Sequence, residues 1–208
     1  MPQITLYEFA PTRSARCRWT LLELDVEYES KDGRQALGSD DYAAIHPLRK
    51  MPAVIVEGQP LFESAAICTY LADIHADRGL LARPGTRARA LHDQWVSFTL
   101  SELEAPLWAT QEQMLAKIRA GQPPGSPPAL PELSRSAFSR AAAAVDAALA
   151  DHEYLVDDRF TVTDIIVGYT INGAAMMGLL EDHPHVQAYR ERLLARPHCT
   201  LMRTPPAM

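Results

Sequence analysis

Residues 46–77, HPLRKMPAVIVEGQPLFESAAICTYLADIHAD, decide the fold, because they read in direct succession as loop, strand, turn, strand and helix. Residues 53–57 (AVIVE) are a β-branched run, 58–60 supply a turn, and Leu61 and Phe62 begin a second, shorter strand, so a hairpin is predicted. After Glu63 and Ser64, apolar residues recur at Ala66, Ile67, Tyr70, Leu71 and Ile74, the spacing of an amphipathic helix. The first backbone N–H groups of such a helix have no partner within it, and the macrodipole adds positive potential, so Ser64 beside them can help hold a carboxylate. Met51-Pro52 stands just before the first of these strands, where proline is tolerated because its lost donor is not needed. Taken alone, such a bond is trans in roughly nineteen cases of twenty.

Outward from this stretch, residues 4–9 (ITLYEF) predict a first strand, 10–13 (APTR) a turn, and Ser14 the start of a helix. Cys17, Trp19, Leu21, Leu22 and Leu24 cover one side of that helix, and 25–29 (DVEYE) read as a second strand of alternating character. Residues 31–45 are polar, with two glycines and no strong period, and predict irregular chain or a short helix. The order is βαβ followed by ββα. Residues 78–86 (RGLLARPGT) place a boundary between a first domain, 1–77, and a helical second domain, 87–208. In the latter, Leu91, Trp95, Phe98, Leu103, Leu107, Met114 and Leu115 keep helical spacing, and Pro106 is expected to kink or interrupt the helix. Residues 121–131 hold five of the 16 prolines and predict an exposed loop, and 132–151 an Ala-rich helix. Thr161 with Asp164 three residues on predicts a capping box, with Phe160 placed to staple against Ile165.

Composition narrows the function classes. A 208-residue chain that is 47% hydrophobic and 22% charged can build a sizeable core, and it has no apolar run of membrane-span length. The start MPQITLYEF has no secretory pattern, so a cytoplasmic protein with no membrane partner is expected. A net charge of -6, with no basic stripe interleaved with aromatics, argues against nucleic acid. Cys17, Cys68 and Cys199 lie far apart without C-x-x-C, which fits neither a disulfide framework nor a dithiol oxidoreductase, and Cys17 and Cys68 are expected buried in helices. The seven histidines, His183 and His185 among them, lack metal-ligand spacing, and no metal is assigned.

The order KMPAVIV, turn, LFESAAICTYLAD resembles the glutathione-binding half of the cytosolic glutathione S-transferase superfamily, in a bacterial-type form with a serine- or threonine-like N-terminal site. The capping box at Thr161 and the closing HPHVQAYRERLLARPHC extend the resemblance over nearly the whole chain. It implies a thioredoxin-like α/β N-terminal domain followed by an all-helical C-terminal domain. It also implies a cis Met51–Pro52 bond that turns the Met51 backbone toward an extended peptide, and a homodimer. Glutathione is the implied cosubstrate, and the partner substrate a small hydrophobic electrophile.

By the same resemblance, Ser64 and its N–H hold the γ-glutamyl carboxylate, Glu63 approaches the amino group, and Lys50, Met51 and Pro52 complete the glutathione site. The thiolate needs a donor, because the free thiol is mostly protonated at neutral pH. In the family that donor is usually a Tyr, Ser or Cys between the first strand and the first helix. Here Pro11 falls at the usual serine position, which leaves Thr12 closest to the expected hydroxyl, Ser14 as a second hydroxyl that equally suits an N-cap, and Arg16 as a positive charge. Tyr7 lies inside the strand and is a weaker rival. Arg13, Arg16 and Arg18 make the segment basic, which suits an anionic tripeptide, with Arg18 the one best read as a solvated helix face. Trp95, Phe98, Leu103, Leu107 and Trp108 are the candidates for the electrophile side, although a stripe at helical spacing is more often core.

Two readings follow. One is a transferase that activates glutathione for conjugation, or uses it as a reductant or isomerisation cofactor; the Ser-Ser-Cys pattern of the zeta-type isomerases is absent. The other is a non-catalytic binding or scaffold module, kept open by Pro11.

Overall fold

The computed structural model describes residues 2–121 and 129–202. A mixed sheet is built from β1 (Ile4–Glu8), β2 (Glu29–Asp32), β3 (Ala53–Val56) and β4 (Gln59–Phe62), in the order β2-β1-β3-β4. β1 and β2 are parallel, joined across α1 (Ser14–Glu23), while β3 runs antiparallel to both β1 and β4. α2 (Gly33–Leu37) and a 3₁₀ turn (Asp40–Ala44) lead back to β3, and α3 (Ser64–Ile74) follows the hairpin. This is the thioredoxin-like arrangement that the resemblance implied. The helical part comprises α4 (Arg87–Phe98), α5 (Trp108–Arg119), α6 (Glu132–Ala148), α7 (Val162–Met176) and α8 (Pro184–Leu194). Among the described residues no helix is long and apolar enough to cross a membrane.

The second strand lies four residues later than the pattern placed it. The alternation in 25–29 is real, since Val26 is buried and Tyr28 half-buried, but it belongs to the chain leaving α1, where Asp25 takes a left-handed φ of 53°. β2 itself is an edge strand whose four side chains are all exposed, so it pairs through its backbone and carries no hydrophobic period to read. The long helix is interrupted as expected. α4 widens into a π-helical turn (Thr99–Glu104) and a 3₁₀ turn (Ala105–Leu107) around Pro106 before α5 begins, because proline supplies no N–H and crowds the preceding turn. Most of the proline-rich loop expected over 121–131 lies outside the described residues.

The sheet and the helices share one core. Trp19, Leu21, Cys17, Ile67, Cys68 and Leu71 from α1 and α3 are fully buried, as are Ile165, Ile166 and Ile171 of α7 against which these helices pack. The capping box forms: the Thr161 N–H donates to Asp164 Oδ2 at 2.8 Å. Asp164 is fully buried, and its other oxygen accepts from the Tyr189 hydroxyl at 2.9 Å and the Leu155 N–H at 3.3 Å. Phe160 stands before this cap with its ring against Trp19 and Tyr154, at centroid distances of 5.7 and 5.9 Å, and under the Arg196 guanidinium. Arg196 in turn makes two hydrogen bonds to Glu23, at 2.8 and 2.9 Å, which ties the segment after α8 to α1.

Candidate functional site

The sheet register gathers the candidate residues at one end. Tyr7 pairs with Ala53 and Ala53 with Phe62, so the loop after β1, the residues before β3 and the start of α3 all leave the sheet on the same side. Met51 and Pro52 lie just outside the ladder, joined by a cis peptide bond; a second cis bond, Ala10–Pro11, lies in the β1–α1 loop. Met51 packs beneath Tyr42, whose hydroxyl donates to the Lys50 carbonyl at 2.9 Å and meets the Met51 sulfur at 3.3 Å. A Cβ at Gly33 would come within 2.6 Å of that sulfur, so the absence of a side chain on α2 makes room for Met51.

Thr12 at the end of the β1–α1 loop and Ser14, the first residue of α1, form a compact hydroxyl pair. Their oxygens are 2.7 Å apart, and both reach the Phe9 carbonyl, Thr12 at 2.7 Å and Ser14 at 3.1 Å. The Ser14 N–H also points at the Thr12 oxygen, at 3.3 Å. Both side chains are buried. Tyr7 stays within the strand, its half-buried ring 5.3 Å from that of Tyr42.

The three arginines of this segment have separate fates. Arg18 is half exposed and pairs with Glu8 at 2.8 Å, the solvated position expected of it. Arg13 reaches Glu104 and lies with its guanidinium 4.1 Å from the Trp108 ring centre. Arg16 is fully buried. It donates to the Ile166 carbonyl at 3.1 Å, Ser64 Oγ at 3.1 Å, Glu104 Oε2 at 2.9 Å and Thr170 Oγ1 at 2.8 Å. Burial alone would push the Glu104 carboxyl up, but Arg16 and Arg13 outweigh it and hold it at about 2.

At the start of α3, Glu63 is exposed with a φ of 72°, outside the ordinary regions for a side-chain-bearing residue, and no side chain caps the helix. Ser64 follows it, buried, with the Arg16 guanidinium behind. The Lys50 ammonium lies 4.6 Å from the Trp108 ring centre and 3.7 Å from Glu112. Trp108 thus bridges the two loops. Of the other residues named for the electrophile side, Leu103 and Leu107 are core, while Trp95 and Phe98 are half-buried and pack edge-on against each other.

Sequence reasoning missed Glu104. Its only signal was a carboxylate set directly after Leu103 in an apolar stripe and two residues before Pro106. Among the described residues no group of three or more His, Cys, Asp or Glu side chains is placed to hold a metal ion.

The family model for the glutathione S-transferase N-terminal domain matches residues 2–73, and that for the C-terminal domain matches residues 112–197. The chain belongs to the glutathione S-transferase family. This transferase is 29% identical over 163 residues to the glutathione S-transferase GstA of Escherichia coli O157:H7, across 76% of its own length and 74% of that protein. It is 31% identical over 165 residues to an elongation factor 1-gamma of Prunus avium, of which it spans only 36%. Among solved structures, the theta class glutathione S-transferase of Xanthomonas axonopodis pv. citri with glutathione bound superposes with a TM-score of 0.78 at 27% identity, over 98% of this transferase and 99% of that chain.

Proposed function

We propose that glutathione lies along this end of the sheet, with its γ-glutamyl carboxylate at Ser64 and the first turn of α3, its amino group toward Glu63, and its backbone against Met51 and Pro52. The chain is a glutathione S-transferase, and glutathione is its cosubstrate. Lys50 supplies positive charge beside the tripeptide. The observation that carries this reading is a chain of contacts that joins the uncapped start of α3 to both loops: Ser64 accepts from buried Arg16, Arg16 and Arg13 share Glu104, and Arg13 and Lys50 share the Trp108 ring.

The thiolate is stabilised by the Thr12–Ser14 pair. Two hydroxyls reach one carbonyl, so Ser14 can keep Phe9 satisfied while Thr12 turns its hydrogen to the sulfur, and no buried acceptor is orphaned by the exchange. The activated sulfur then attacks a small hydrophobic electrophile held on the Trp108 side. An exposed stripe at Phe62, Tyr70 and Ile74 is the surface assigned to a homodimer, which light scattering would read as twice the 23.0 kDa chain.

Titrating glutathione while following thiolate absorbance in the ultraviolet tests the reading. An ionised bound thiol at neutral pH is expected, and binding without ionisation overturns catalysis by this site. The second outcome would favour a scaffold role, a reading supported by the commitment of both hydroxyls to Phe9 and by the likeness to an elongation factor 1-gamma.

A further inference from the structure

Cys17 on α1 and Cys68 on α3 stand 51 residues apart in the chain, yet their sulfurs lie 4.0 Å from each other in the core where the two helices pack. Both are free thiols, and neither side chain is reached by solvent. The Cys17 sulfur is also 3.9 Å from the Ser64 carbonyl, so it touches the first turn of α3, with Cys68 one turn further along the same helix. Burial pushes the Cys17 thiol up. At Cys68 burial acts in the same direction but is outweighed by hydrogen bonding to Cys17 and Thr20 and by the Arg16 charge, and the pKa falls below the ordinary thiol value. One member of the pair is therefore the better nucleophile, and the other keeps its proton beside it.

We propose that Cys17 and Cys68 form a redox modification site, which a hydroperoxide converts into a disulfide between α1 and α3 that weakens glutathione binding at Ser64. The Cys68 thiolate attacks one oxygen of hydrogen peroxide: an S–O bond forms, the O–O bond breaks, and the departing hydroxide leaves as water with the proton that Cys68 gave up. The Cys17 sulfur then attacks the sulfenic sulfur, so that the S–S bond forms, the S–O bond breaks, and this hydroxide takes the Cys17 proton as a second water. Two thiols lose two electrons in all, and one peroxide is reduced. Burial selects the oxidant: a tripeptide disulfide cannot reach these sulfurs in the closed fold, whereas a neutral molecule little larger than water needs only a local opening. The short gap selects the product, because a sulfenic acid formed here meets the neighbouring thiol before it meets a second peroxide. Closing that gap from 4.0 Å to bonding distance must shift the first turn of α3 against α1, and Ser64 moves with it. The loss of affinity rests on the placement of the γ-glutamyl carboxylate at Ser64, whereas the disulfide does not.

The test treats the reduced protein with a small excess of hydrogen peroxide, removes what remains with catalase, caps free thiols with N-ethylmaleimide in denaturant and digests with pepsin for mass spectrometry. A linked pair of peptides carrying Cys17 and Cys68, lighter than the two free peptides by two hydrogen atoms, is expected, with Cys199 outside the link. Calorimetry with S-methylglutathione, which has no thiol to reduce the bond, should show binding weakened about ten-fold or more by oxidation, the worth of one hydrogen bond to a charged group. Dithiothreitol should restore it. Cys68→Ala should abolish both effects, and Cys199→Ser should keep both. Cys17 and Cys68 recovered fully capped, or as sulfinic acids, overturn the proposal, and this measurement needs only the native chain should Cys68→Ala fail to fold. A disulfide with unchanged affinity overturns the coupling to Ser64 while the transferase reading stands. If the reduced native protein binds no S-methylglutathione, the placement of glutathione and the coupling fall together, and the digest alone decides the disulfide.

Discussion

The His92 ring meets the Thr163 hydroxyl through Nδ1 at 2.9 Å, which joins α4 to the first turn of α7. Its Nε2 lies 3.1 Å from the Thr69 oxygen, and the Thr69 hydrogen is already given to the Ala65 carbonyl at 2.9 Å. Nε2 therefore carries the proton and donates to Thr69, and in the neutral ring Nδ1 accepts from the Thr163 hydroxyl. Burial pushes the pKa of His92 down to about 4. The unfolded chain then binds a proton that the folded one refuses. The contribution of His92 is complete above pH 6.5 and is lost as the pH falls toward 4, amounting to roughly 3 kcal/mol. Asp164 works in the opposite sense over part of this window, because burial raises its folded pKa to about 6. Urea unfolding of native and His92→Gln proteins at a series of pH values isolates the histidine, and their stability difference should shrink on acidification.

Thr12→Val is expected to raise the pKa of the bound glutathione thiol and to lower turnover, with glutathione affinity changed by less than about two-fold, because a neutral hydrogen bond is worth only about 1 kcal/mol. Ser14→Ala leaves Thr12 tied to Phe9 as the sole hydroxyl there, so it should hinder ionisation in the same direction. Ultraviolet titration of the thiolate reads both. If Ser14→Ala abolishes ionisation and Thr12→Val does not, Ser14 is the donor.

Asp164→Asn is nearly isosteric, yet it places an NH₂ where the carboxylate accepts from the Thr161 N–H and hydroxyl on one oxygen, or from Tyr189 and Leu155 on the other. Either orientation sets donor against donor in a buried site. A loss of about 3 kcal/mol and a fall in Tm of about 10 °C are expected by calorimetry. An unchanged Tm would remove the cap from the account of stability.

Trp108→Ala deletes the ring shared by Arg13 and Lys50, two contacts of about 0.5 to 1 kcal/mol each. Because the ring bridges the two loops, kcat/KM with an electrophile should fall several-fold in steady-state assays. The affinity for glutathione alone should change less.

Much of this molecule was legible because its signals are local. The β-branched run of β3, the turn, and the spacing of Ile67, Leu71 and Ile74 in α3 lie within one short segment, and the capping box needs only Thr161 and Asp164. β2 was misplaced because an exposed edge strand is specified by its neighbour's backbone and not by its own side chains. The candidate site divides along the same line. Ser64 and the Thr12–Ser14 pair could be named from short motifs. The surroundings of Arg16 could not, since its partners Ser64, Glu104, Ile166 and Thr170 lie 48 to 154 residues away in the chain, and a helix-borne arginine is usually solvated. Glu104 enters through the π-helical turn ahead of Pro106, an irregularity no periodic pattern encodes.

The Arg16–Glu104 pair also restricts how family members can be recombined. A hybrid that joins the sheet-bearing half of this chain to the helices of a relative lacking the acid would enclose a cation with too few acceptors, while the reciprocal hybrid would strand a carboxylate that needs both Arg13 and Arg16. Exchange of halves is therefore expected to yield soluble protein only when the incoming half supplies the matching acid or arginines, which makes these three positions the natural checkpoint in any shuffled library built on this scaffold.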